Sequence, residues 1–209
     1  VLHIINFAHG AILASAMFAV WGLNVLAGVN PYLAILFLTP LFFCLGYGIQ
    51  RLVIGPAAKG DDGNILLITL GISIFIENAL LAGFGSDTRS ISSDFSFSVV
   101  EAGPFLISSP RLVGFAGSLV VTALLWFITS RTDAGKAIRA VAREKLGASL
   151  MGIDVGHVYA LTFGLGCAAL AVAAGLLMPT FYVNPRVAPS SISRSRSSCS
   201  AAWAPFPAP

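Results

Sequence analysis

The side chains that could do chemistry in this chain are few, and most of them stand inside apolar sequence. Glu77 and Asn78 interrupt the otherwise apolar run Ile65–Gly85. A carboxylate near the centre of a membrane-crossing helix costs about 2.5–3.5 kcal/mol on insertion scales, so Glu77 must face protein or water rather than lipid. Two roles stay open for it: a structural hydrogen bond between helices, or a place lining a translocation path. His3, Asn6 and His9 fall at i, i+3 and i+6 and share one helical face, as metal ligands or catalytic groups do. No Asp or Glu stands near to complete a metal site or a proton relay, which favours hydrogen bonds between helices.

A third group is polar throughout. RTDAGKAIRAVAREKLGASLMGID, Arg131 to Asp154, holds five Lys/Arg and three Asp/Glu, while Ala137, Ile138, Val141 and Leu150 recur near helical spacing. This predicts one surface helix over Arg131–Met151, too polar to cross a membrane. Gly135, Gly147 and Gly152 are placed for turns, and Ala140, Ala142 and Ala148 permit close approach. Gly152-x-x-x-Gly156 matches a helix-dimer motif by letter only, because it falls in this polar stretch. No Ser-His-Asp order, glycine-rich phosphate loop or Cys-x-x-Cys pair occurs. The expectation is therefore no catalytic set, no metal site and no ATPase or hydrolase site in the chain itself.

The composition says what must position these groups. Of 209 residues, 56% are hydrophobic and only 10% charged, against roughly 25% charged in a soluble domain. Mean hydropathy is +0.87, and no Asp, Glu, Lys or Arg occurs from Val1 to Gln50. A soluble globule could not cover its surface with so little polar material, which excludes a cytosolic enzyme, a secreted domain and a wholly disordered chain. A net charge of +3 is informative about topology and says little about nucleic acid, which is not expected as a partner. Cys44, Cys167 and Cys199 are too widely spaced for a disulfide framework and read as small buried hydrophobes. The opening at Val1, without Met or signal-peptide features, predicts a preceding segment.

Measured against the roughly 20 apolar residues that a crossing helix needs, the chain holds five spans: Ala11–Ala27, Tyr32–Gln50, Ile65–Gly85, Leu112–Ser130 and Val158–Met178. Gly28-Val29-Asn30-Pro31 makes the first turn, Arg51 closes the second span, and Pro179 follows the fifth. Residues 86–110 form a Ser-rich extramembrane loop with the alternation of a short hairpin. The 51–63 and 131–154 loops fall on one side and carry the basic bias, which makes that side cytoplasmic. Residues 188–209, APSSISRSRSSCSAAWAPFPAP, break the pattern and read as a disordered or out-of-frame tail. SSCSAAWAPFPAP can be encoded so that the frame two bases on reads VVFGGMGSVPGA, an apolar stretch running into a glycine-rich turn.

Four segments then converge. INFAHGA (Ile5–Ala11), LLITLGISIFIENALLAGFG (Leu66–Gly85), RTDAGKAIRAVAREKLGASLMGIDVGHVYALTFGLG (Arg131–Gly166) and PTFYVNP (Pro179–Pro185) resemble the integral membrane permeases of branched-chain amino acid ABC transporters, of the high-affinity leucine, isoleucine and valine type. The resemblance covers nearly all of residues 1–187. It implies an all-α polytopic transmembrane bundle of the ABC importer permease type, incomplete at both ends because the family has a span before INFAHG and a GGMGS-like turn after PTFYVNP. It implies a multi-pass protein of the bacterial inner membrane, carrying branched-chain or related amino acids, amides or urea. Implied partners are the lipid bilayer, a second similar permease, two cytoplasmic ATPase subunits and an extracytoplasmic substrate-binding protein. No cofactor is expected on the chain, ATP being used by the partner subunits. By resemblance Asn6, His9 and Gly10 serve helix packing and line the substrate path jointly, with Glu77 and Asn78 as further candidates for the path. Arg131, Gly135, Arg139, Ala140, Ala148 and Gly152 belong by the same resemblance to the segment that contacts the ATPase. The alternative from another class is an ion-coupled secondary transporter using Glu77; an intramembrane enzyme using His3 or His9 lacks a nucleophile or metal set.

Overall fold

The structure, a computed structural model, describes residues 8–57, 62–85, 87, 99–102 and 105–179. Five helices in it are long and apolar enough to cross a membrane, as the charge-free runs predict. They are α1 (Ala8–Ala27), α2 (Pro31–Ile49), α4 (Asp62–Phe84), α5 (Ser109–Arg131) and α8 (Val155–Leu177). Gly28 stops α1 in the left-handed region at φ 62°, where a side chain would be strained. The Asn24 side-chain amide donates to the Val29 carbonyl at 3.0 Å, and Pro31 opens α2 at a position where its missing N–H costs nothing.

One seam organises the bundle. Pro31, Ala34, Leu38, Phe42 and Gly46 form a buried stripe at three- and four-residue spacing on α2. Opposite it α8 runs antiparallel and buries Gly164, Cys167, Ala171, Ala174 and Gly175. Ile35 lies against Gly175, Phe43 against Gly164 and Gly46 against Cys167. Between membrane helices apolar surface alone gives no preference for protein over lipid, so small residues that let two backbones approach are what make contact favourable. A Cβ on Gly46 would sit 2.6 Å from Cys167 Sγ, and one on Gly175 would collide with Ile35. α1 packs against α8, α4 and α2, which is why its buried residues, among them Ala8, Ile12, Ala16, Phe18 and Val20, lie on several sides of the helix. Phe84 at the end of α4 stacks on Phe18, 5.0 Å between ring centroids, and meets Trp21 edge-on.

α5 stands at the edge, touching α8 through Gly117 and Leu176, with Leu112, Phe115, Leu119, Val120, Leu124, Trp126 and Phe127 exposed. An apolar face of this kind belongs in lipid or against another membrane protein. The expected hairpin is present: β1 (Val99–Ala102) pairs antiparallel with β2 (Phe105–Ser108), with Val99 opposite Ser108. It precedes α5 at the end of the bundle remote from the Arg131–Asp154 segment.

Two expectations are corrected. Arg51 does not close the second span: the helix runs on through a π-helical segment, Gln50–Ile54, into the short α3 (Gly55–Ala57), giving a crossing of 24 residues. An arginine at a helix end can extend its head to the interface while the backbone stays helical, so one charge is a poor stop signal. Cys44 is exposed, on the side of α2 away from the seam, whereas Cys167 is buried; Cys199 lies outside the described residues. Gly46→Leu should lose folded protein in a size-exclusion assay of detergent extracts, at a cost of about 1–3 kcal/mol or more. Gly48→Leu, where a Cβ meets nothing within 4 Å, should not.

Candidate functional site

The charged residues gather where α5 turns back toward α8. Thr132 ends α5 and begins α6 (Asp133–Arg143), its hydroxyl donating to the Ile128 carbonyl at 2.6 Å and accepting from the Gly135 N–H at 3.2 Å. This turn is so tight that a Cβ on Gly135 would collide with the carbonyl oxygens of Thr129 and Ile128. Arg139 closes the corner by donating to the Thr129 carbonyl, one of the acceptors left open at the end of a helix. Lys136 pairs with Asp133 at 2.9 Å on the exposed side, and that hydrogen bond and charge hold the Asp133 carboxyl below the usual carboxylate range.

The single helix expected over Arg131–Met151 is in fact two. Glu144 adopts an extended conformation (φ −150°, ψ 101°) between α6 and α7 (Lys145–Leu150). α7 ends in a Schellman turn, in which the Gly152 N–H bonds to the Ser149 carbonyl and the Ile153 N–H to the Ala148 carbonyl, both at 3.1 Å. Gly152 takes the φ of +82° that this turn demands. Asp154 then caps α8, its Oδ1 accepting from the N–H groups of Gly156 and His157 at 3.0 and 3.2 Å. The apolar stripe of α6 is covered from within the chain. Ala137, Ile138 and Val141 pack with Ala148, Ile153, Val158 and Tyr159 into a small second core, so the stripe holds the segment to its own α8. What faces outward is Leu146, Leu150 and Met151, exposed by 69, 80 and 83%. Their i, i+4, i+5 spacing was available in the sequence; the break at Glu144, which resets the helical phase, was not.

Of the residues assigned to this segment, Gly135 and Ala148 are buried at contacts, Ala140 is half-buried, and Arg131, Arg139 and Gly152 are exposed. The path candidates are more scattered. His3 and Asn6 lie outside the described residues. His9 on α1 sets its ring edge-on to Phe163 of α8, 5.6 Å between centroids, with Nε2 beside Gly166; this is an interhelical packing position. Gly10 is exposed and open space surrounds it. Glu77 is half-buried and, among the described residues, has no hydrogen-bond or ion-pair partner. Asn78, one residue round the helix, is exposed and turns its amide back onto the Ile74 carbonyl at 2.7 Å, which satisfies a polar group without a neighbour. The two therefore do not share an environment. Among the described residues no group of three His, Cys, Asp or Glu side chains could hold a metal ion. The 187/188 boundary and the tail 188–209 also lie outside the described residues.

A bundle of five apolar helices with one short, charged helical pair folded against its base is the architecture of an integral membrane protein. The chain belongs to the family described as "branched-chain amino acid transport system / permease component", whose sequence model matches residues 1–194. It is 30% identical to the high-affinity branched-chain amino acid transport system permease protein BraD of Pseudomonas aeruginosa, over 90% of this chain and 65% of that protein. It is 27% identical to LivH of Escherichia coli over the same shares. It is also 32% identical to the D-allose transport system permease protein AlsC of Escherichia coli, over 80% of this chain and 49% of that protein. The chain thus spans about two thirds, 65%, of the length of the first of these relatives. No solved structure matches it.

The corner at Gly135 is testable. Gly135→Ala forces the first turn of α6 away from α5 at about 1–3 kcal/mol, so trypsin should cut after Lys136 and Arg139 at least about fivefold faster. Gly114→Ala, where a Cβ meets nothing within 4 Å, should leave the cutting rate unchanged.

Proposed function

We propose that the chain forms the membrane-spanning part of an ATP-driven importer for branched-chain or closely related amino acids in a bacterial inner membrane. ATP is hydrolysed on separate cytoplasmic subunits, substrate arrives from an extracytoplasmic binding protein, and a second permease completes the path. The observation that carries this reading is the α6–α7 pair. It sits at the end of the bundle that the basic bias assigns to the cytoplasm, it is held to α8 by a core of its own, and it presents Leu146, Leu150 and Met151 outward. A docked ATPase that covers those three side chains can pull on α8 and, through the seam, on α2, which is what alternating access requires. The relatives named for branched-chain amino acids support that substrate class, and each covers more of the chain than the D-allose permease does.

Burying a leucine side chain is worth about 1.5–3 kcal/mol. Leu146→Asp with Leu150→Asp, made in the intact transporter, should therefore weaken ATPase-subunit co-purification at least tenfold and stop uptake, while membrane levels stay normal. Unchanged co-purification would remove α7 from the contact. The half-buried Glu77, without a partner among the described residues, supports a second reading, an ion-coupled transporter, and one substitution separates the two. A coupling carboxylate must lose and regain charge, so Glu77→Gln would stop such a transporter, whereas an ATP-driven permease should keep most of its uptake because the amide retains hydrogen-bonding capacity. Loss of uptake in Glu77→Gln, with collapse of wild-type uptake under proton uncouplers at constant ATP, would favour the second reading.

A further inference from the structure

At the basic end of the bundle a cavity of about 430 Å3 opens between the π segment and α3, which continue α2, and the start of α8. Arg51 from the π segment, Lys145 from the first turn of α7 and His157 from the first turn of α8 converge on it, with Asp154 and Tyr159 also in its wall. These groups come from three elements, so the convergence is a product of the fold and not of a charged run in the sequence. The site is also braced. The Arg51 guanidinium donates to the Tyr47 hydroxyl at 2.8 Å, and Tyr47 is hydrogen-bonded to His157 Nδ1 at 2.9 Å. Lys145 Nζ lies 5.7 Å from the centre of the Tyr159 ring. A guanidinium has five N–H donors and an ammonium three, so most remain for a ligand. Asp154 directs Oδ1 to the α8 backbone, and among the described lining residues its carboxylate is outnumbered by the two cations Arg51 and Lys145.

We propose that this cavity binds the phosphate of an anionic phospholipid of the adjacent leaflet. The level of the cavity argues for a lipid. It lies where the second and fifth spans leave the apolar zone, the depth at which headgroup phosphates sit, and Leu52 and Val53, which follow Arg51 on the π segment outside the cavity wall, are exposed apolar surface. Basic pockets between spans at this depth suit an acidic headgroup. The consequence is mechanical: a phosphate held by Arg51 and Lys145 ties the end of α2 to α7, across the joint through which the α6–α7 pair meets the membrane bundle.

Native mass spectrometry of the purified full chain, titrated with phosphatidylglycerol or phosphatidylcholine, tests this. The expected result is one phosphatidylglycerol retained per chain in preference to phosphatidylcholine. Each cation near the surface is worth about fivefold, so Arg51→Gln with Lys145→Gln should weaken retention about 25-fold. Lys145→Gln alone should weaken it about fivefold, should the double variant fail to fold. Arg51→Lys with Lys145→Arg should keep the preference, and so should Lys136→Gln with Arg143→Gln, which removes the same charge elsewhere on the segment. Equal retention of the two lipids, or an equal loss in the Lys136/Arg143 variant, would overturn the proposal. Displacement by excess inorganic phosphate without any preference between the lipids would mark a free-phosphate site instead, and would overturn it as well.

Discussion

The close approach of α2 and α8 is the contact on which the rest of the molecule depends. In a bilayer a leucine gains little by leaving lipid for protein, so the strongest argument for two helices to pair is a stripe of residues small enough to bring the backbones together. Gly46 against Cys167, Gly164 against Phe43 and Gly175 against Ile35 provide such a stripe along nearly the whole crossing. Everything else is arranged around it. α1 fills the groove beside the pair, α4 stacks its terminal Phe84 on α1, and α5 leans on the far end of α8 through Gly117.

The same seam carries position from the polar end into the membrane. The α6–α7 pair is fixed at three points: the Thr132–Gly135 corner, the small core over Val158, and the Gly152 turn leading into the Asp154 cap. Each of these acts on the first turn of α8 or the last turn of α5, so a displacement of the pair has to move a span. The Tyr47–His157 hydrogen bond and the cavity beside it place the end of α2 in the same mechanical unit.

The spans were legible because their signal is length and the absence of charge, and both survive any detail of packing. The turn at Gly28–Asn30 and the hairpin near Val99–Ser108 were legible for similar local reasons. What could not be read was phase. Five Lys/Arg and a recurring apolar set look the same whether Arg131–Asp154 is one helix or two, and the extended Glu144 has no propensity that marks it as a break. The stripe of α6 was legible as apolar, but spacing shows that a face must be covered and not by what, and here its own α7 and α8 cover it. Arg51 misled in the opposite way, since a charge ends a hydrophobic count without ending a helix. Of the candidate site residues, those defined by backbone geometry, Gly135 and Gly152, were the most readable. Glu77 and Asn78 were paired by sequence adjacency, although adjacent residues point about 100° apart on a helix.

The central claim, that α2 and α8 are antiparallel neighbours whose polar ends meet beside the α6–α7 pair, is open to a direct test. In a background with Cys44, Cys167 and Cys199 replaced by serine, Tyr47→Cys and His157→Cys are joined by a short bifunctional thiol reagent in native membranes, and the chain is then cleaved at a protease site inserted between residues 88 and 98. The account predicts that the two fragments stay linked with high yield, and that Leu45→Cys with His157→Cys, whose first position faces away from the seam, does not link. Fragments that separate in the Tyr47/His157 pair, or that stay joined equally in both pairs, would contradict it.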